Sequence, residues 1–374
     1  MAQQTAQGWL VRGLTDDPRI VTIVAACGTL PVIFLSLSAG ALADSVDRRK
    51  ALLLFNIFGA VAALVLAALV ATDEIAVWHV VAVALFTGVV TAFDVPIRQS
   101  FNREMVELED LPSAIALNST AFNTARVIGP AAGGALIQGV GLAECFFING
   151  FSFLALIVGL ILMKLPRHQA ANSHATLASI WEGVLFVKGH QTLRLVMLLV
   201  GVVSFGAMSF GSLMPVFAVD IFKTDARGFS ILMTCNGLGA LGAAAALSLM
   251  TAVRHKGKRL LLGALLFCLT TLGFALAPNW VVACVWLLFS GYFLLTFLMT
   301  ANTLVQTLSP DAMRGRIFSL YSLSLIGANP LGAIALGILA KWHGARVAVE
   351  IGSVGAAVFV LFIYWNFRAL WKEK

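Results

Sequence analysis

The sequence predicts an all-α membrane protein, and three observations predict it; its two pseudo-symmetric helical bundles are expected from the internal repetition below. Of 374 residues, 60% are hydrophobic and only 11% are charged, against roughly 25% charged residues in a soluble domain. Apolar runs of about 20 residues, enough to cross a hydrocarbon core of about 30 Å as helix, recur along nearly the whole chain. Runs such as LLLGALLFCLTTLGFALA are apolar on every face, unlike the alternating segments of about 10 residues that mark a membrane barrel.

Eleven spans are expected, at 20–43, 50–71, 76–95, 114–140, 144–163, 194–219, 228–252, 259–277, 280–304, 317–340 and 346–366. The first five make an N-terminal bundle over residues 1–163, and the last six a C-terminal bundle over 194–374. Between them, 164–193 reads KLPRHQAANSHATLASIWEGVLFVKGHQTL. It holds no apolar run of span length and is expected to be a polar cytoplasmic linker.

Lysine and arginine counts on alternating sides orient the chain. Eighteen fall on one side, among them Arg48, Arg98, Arg194, Arg316 and Lys374, and six on the other: Arg12, Arg19, Lys223, Arg227, Lys341 and Arg346. The richer side is cytoplasmic, so the carboxyl terminus is expected inside. A net charge of +7 is spread through loops and forms no clustered basic face, so no nucleic-acid partner is expected. Cys27, Cys145, Cys235, Cys268 and Cys284 lie in or beside apolar runs without CxxC spacing, which predicts small buried residues, no disulfide framework and no metal. There is no HExxH pairing and no phosphate loop. An enzyme is not expected.

Internal repetition is visible. The charged turn GALADSVDRRKAL, Gly40–Leu52, comes after the first span of its half, while its weaker counterpart RHKGKRL, Arg254–Leu260, comes after the second span of the other. IGPAAGG (Ile128–Gly134) lies in the fourth span of the first half, and its echo IGANPLGA (Ile326–Ala333) in the fifth of the second. Both offsets predict eleven spans of a twelve-span plan, with one helix missing at the amino end.

Two motifs carry a resemblance. Gly40, Leu42, Ala43, Asp44, Arg48, Arg49 and Lys50 fit GxLADxxxRRK, and Gly129, Pro130, Gly133 and Gly134 fit GPxxGG. With FDVPIRQSFNREMV and NSTAFNTARVIGP, they resemble the major facilitator superfamily of secondary transporters, in the exporter branch that holds enterobactin and macrolide exporters. The resemblance runs from about Gln7 to the carboxyl terminus, and AQGWLVRGLTDDP is similar to the segment after helix 1 in relatives. The resemblance thus leads to the expectation that the true start lies upstream of Met1 or that the gene is truncated.

The resemblance implies a conformational lock of Asp44, Arg48 and Asp94, in which Asp44 faces the positive amino end of a helix starting near Arg316 and Arg48 pairs with Asp94. On the residues alone, Asp47, Arg49 and Lys50 read as a solvated turn. Asp94 and Arg98 flank Pro96, which is expected to bend or end its helix. Asp94 either accepts a proton as Arg48 leaves it or is paired structurally. Arg126, the one basic residue inside a span, either serves substrate or protons, or snorkels or pairs structurally. Pro130 is expected to kink its span, with Gly133 and Gly134 permitting close helix contact. GLGALG, with Gly237, Gly239 and Gly242, matches a dinucleotide fingerprint without a strand before it or an acid about 20 residues on, and reads as helix packing. Asn123, Thr124, Ser204, Asn236, Tyr292, Thr296 and Asn329 are the polar candidates for a central cavity.

The expected protein is therefore a monomeric, cofactor-free exporter of an amphipathic small molecule, drug or siderophore-like, exchanging it for protons across the bacterial inner membrane. A lipid-like substrate such as a lysophospholipid, or a truncated non-transporting remnant, are the alternatives.

Overall fold

Ten helices among the described residues are long and apolar enough to cross a membrane. The structure, a computed structural model, describes residues 2–35, 46–105, 111–163, 177–248, 256–310 and 313–366. These ten match ten of the expected spans to within a few residues, although positions 36–43 of the first lie outside the described set. The span expected at 114–140 is the helix Leu111–Gly139.

The chain divides into two compact units, one made of Met1–Thr15 and Cys27–Ala175, the other of Asp16–Ala26 and Thr176–Lys374. The segment Asp16–Ala26 belongs by sequence to the first bundle, but it packs with the second unit. Its contacts there, described below, run through Asp17 and Thr22.

The first unit contains α1 (Ala2–Leu14), the end of α2 (Pro18–Cys27) with its helical continuation to Leu35, α3 (Arg48–Ala71), α4 (Val77–Glu104), α5 (Leu111–Gly139) and α6 (Leu142–Leu162). Asp47 caps α3, its carboxylate accepting from the Lys50 amide at 3.1 Å, which satisfies an amide left open at a helix start. Small residues set the spacing of α3 and α6. A Cβ at Gly59 would stand 2.9 Å from the Phe153 ring, and one at Gly150 2.8 Å from Leu64. Gly88 of α4 lies against the carbonyls of Cys27 and Gly28 where α2 turns. Leu52, Ile97 and Phe101 are buried together and covered by Phe55 and Leu160.

Of the two outcomes expected at Pro96, a bend or an end, the end is excluded, because α4 continues to Glu104. A proline withdraws one ladder bond, to the carbonyl four residues back, and the Asp94–Arg98 pair spans the defect from one turn to the next. Likewise α5 runs through Pro130.

The second unit adds α7 (Leu177–Gly189), α8 (Gln191–Gly206), α9 (Ala226–Ser248), α10 (Lys256–Ala275), α11 (Trp280–Leu308), α12 (Arg314–Ser322), α13 (Ala328–His343) and α14 (Ala345–Asn366). The second half of the expected linker is thus the helix α7, whereas 164–176 lie outside the described residues. Its Glu182 pairs with Arg316 of α12. His190 caps α8 and Asn279 caps α11 through side-chain acceptors. Phe210, Phe217, Phe222 and Phe274 form one ring cluster. Phe151, Ile161, Val158 and Phe362 are exposed along the spans, and Trp342 and Trp365 near span ends. This is the pattern of a lipid-facing surface with interfacial aromatics.

Candidate functional site

Among the described residues, four groups of polar side chains interrupt the apolar helices. In the first unit, Gly40 and Asp44 of the expected lock lie outside the described residues. Arg48 opens α3 and is itself engaged. Arg49 is not a solvated turn residue, which corrects the reading made from the residues alone. Its guanidinium donates to the carbonyls of Leu160 and Ile161 at 2.7 and 2.6 Å. Those are the unfilled carbonyls at the end of α6, where a cation also meets the negative pole of the helix. Lys50 does fit the solvated reading, reaching Asp47 at 3.6 Å with 84% of its side chain exposed.

Asp94 is held by Arg98, not by Arg48, among the ion pairs of the described residues. Nε and Nη2 of Arg98 reach the two carboxylate oxygens at 3.0 and 2.9 Å. The side chain of Asp94 is 18% exposed and that of Arg98 41%, so the pair is partly open to change. Arg126 sits on α5 with its side chain outside the described set, as does that of Asn123. Thr124 is exposed, while Pro130, Gly133 and Gly134 are buried.

The second unit holds two interrupted spans. Gln191–Ile221 passes from α-helix to a 3-10 segment at Met208–Leu213 and to a π turn at Phe217–Ile221. Arg316–His343 carries a π turn at Leu323–Gly327. Irregular turns leave backbone carbonyls without helical partners, which in a membrane must be met by other protein groups. The Ser204 hydroxyl donates to the Leu325 carbonyl at 2.6 Å. The Ser209 hydroxyl lies 2.9 Å from the Asn329 carbonyl and 2.8 Å from that of Ser204. Gly332 admits the carbonyl of Phe205 where a Cβ would overlap it. Ser204 and Asn329 were expected to border a cavity; here they join two broken helices. Asn236 and Thr296 also spend their polar groups on backbone, reaching Leu287 and Tyr292. Gly239 packs on Leu288 and Tyr292 of α11, Gly237 is buried, and Gly242 lies on an exposed face.

The fourth group, which the sequence reading missed, gathers at the start of α2. Asp17 binds Arg19 at 2.7 Å and Lys341 of α13 at 3.2 Å. The hydrogen bond from Arg19 holds the Asp17 carboxyl well below the usual carboxylate range, with partial burial working against it and Lys341 adding to it. Five residues on, Thr22 fills the notch left by Gly337 of α13. The available signal was that Arg19 and Lys341 were assigned to the same side of the membrane.

A family model described as transmembrane secretion effector matches residues 1–373. The chain belongs to that family of major facilitator transporters. It is 27% identical over 383 residues to the multidrug efflux pump Tap of Mycolicibacterium fortuitum, covering 95% of this chain and 90% of that protein. It is 27% identical over 333 residues to the enterobactin exporter EntS of Escherichia coli, covering 87% and 76%. In fold it is similar to the crystal structure of the nucleoside transporter NupG, with a TM-score of 0.72 over 99% of this chain and 94% of that one, at 16% identity. The chain is therefore a multi-pass membrane transporter and not an enzyme.

Proposed function

We propose that this transporter exports an amphipathic small molecule, of drug or siderophore kind, in exchange for protons by alternating access. The observation that carries the reading is the match along nearly the whole chain to efflux relatives, Tap and EntS among them. In this reading α5 is an eleventh span, the two bundles are pseudo-symmetric, the protein acts as a monomer in the bacterial inner membrane, and the carboxyl terminus is cytoplasmic.

The lock works by exchange of partners. Asp94 is held by Arg98 in one state and taken by Arg48 in the other, with Asp44 as the third member of the lock. Each handover leaves a carboxylate briefly without its cation, which raises its proton affinity and ties proton movement to the change of access. Arg126, inside the membrane on α5, serves the substrate or the proton path.

Uptake into everted membrane vesicles, with and without a proton gradient, tests the proposal across a panel of amphipathic drugs and siderophores. Accumulation that a protonophore abolishes is expected for at least one compound. Gradient-independent behaviour for every compound, equal to vesicles lacking the protein, overturns it.

A further inference from the structure

Helices α9 and α11 run in the same direction and touch backbone to backbone. A Cβ on Gly239 would overlap the Leu288 carbonyl, and one on Gly291 would overlap the Asn236 carbonyl, so the two helices approach more closely than side chains ordinarily allow. Cys235 lies four residues before Gly239, and Cys284 four residues before Leu288. One helical turn before the contact, on the same face, each helix therefore presents a cysteine to the other. Cys235 and Cys284 lie near enough for their side chains to interact. Both are free and only partly buried, in contrast to Cys27, Cys145 and Cys268, which are buried.

We propose that Cys235 and Cys284 form a redox-convertible dithiol that closes into a disulfide between α9 and α11. A disulfide needs Cα atoms within about 4.4–6.8 Å, and the backbone contact one turn away holds the two helices close enough for the bond to be tested directly. The oxidant is a small disulfide or a diazene such as diamide. With a small disulfide, one cysteine thiolate attacks a sulfur of the oxidant, giving a mixed disulfide and expelling one small thiolate. The second cysteine thiolate then attacks the protein sulfur and expels the other, so two protein thiols lose two protons and two electrons while the oxidant becomes two thiols. The bond joins the helices that carry Asn236 and Tyr292, and it stops any sliding of α9 along α11.

The test uses the full chain in membranes, treated with diamide, quenched with N-ethylmaleimide, digested without reductant and analysed by mass spectrometry. A linked pair of peptides containing Cys235 and Cys284 is expected, with loss of both maleimide adducts together and their return after dithiothreitol. Cys235→Ser removes the linked species and leaves Cys284 fully maleimide-labelled. Recovery of both cysteines as maleimide adducts after diamide overturns the proposal, as does linkage of either one mainly to another cysteine or to a second chain. None of these readouts depends on transport activity, so they stand apart from the proposed function.

Discussion

The ammonium of Lys341, at the end of α13, lies 3.2 Å from the Asp17 carboxylate, which Arg19 grips at 2.7 Å. One carboxylate thus fastens the start of α2 to the end of α13 inside the second unit. Because Arg19 lowers the folded pKa of Asp17, the contact contributes stability that is fully present above the unfolded value of about 4 and is lost as pH falls below it. Asp17→Asn is expected to lower the melting temperature of the purified protein by a constant amount from pH 5 to 8. The gap between variant and parent closes below about pH 4. A gap that instead widened in acid would reverse the sign assigned here.

Just beyond that pair, Gly337 leaves room for Thr22, with the Arg19 Cα 3.2 Å from where a Cβ would be. Gly337→Ala is expected to cost about 1–3 kcal/mol through overpacking. Thr22→Ala, added to it, should restore part of the loss, since the nearest atom is then gone. Thermal unfolding of both single variants and the double variant measures the coupling.

Arg49 and Asp94 should separate structure from mechanism. Arg49→Gln removes two charge-assisted bonds to the end of α6, so stability is expected to fall by about 1–3 kcal/mol and membrane abundance with it. Asp94→Asn and Asp44→Asn are expected to abolish proton-driven export at nearly unchanged abundance. Immunoblots beside vesicle uptake would show the split, and full transport by the Asp44→Asn protein is incompatible with the lock.

At the broken spans, Ser209 is buried and placed between two carbonyls. Ser209→Ala leaves the Asn329 carbonyl without that donor and is expected to destabilise by about 1–3 kcal/mol. Gly332→Ala, which forces a Cβ into the Phe205 carbonyl, should be more severe. Detergent melting curves rank the two, and a milder Gly332→Ala would show that the helices can part there at little cost.

Asp47, Arg49 and Lys50 show how far sequence reading reaches. All three sit in one charged turn and look alike from composition, yet Asp47 caps its own helix, Lys50 is solvated and Arg49 crosses to α6. Likewise Ser204 was legible as a polar residue in an apolar run, but its partner, the Leu325 carbonyl in the π turn of another span, was not.

The sequence by itself determined that this is a helical membrane protein, where ten of its spans fall, and through GxLADxxxRRK and GPxxGG which family it resembles. Span length and charge placement are properties read along the chain, set by the thickness and dielectric of the bilayer. Only the tertiary structure decided that Asp94 binds Arg98, that Asp17 reaches Lys341 across more than three hundred residues, and that Gly239 packs on the Leu288 carbonyl. Partner choice depends on which helix faces touch and how closely, and glycines such as Gly239 and Gly337 set that distance only once their neighbours are in place.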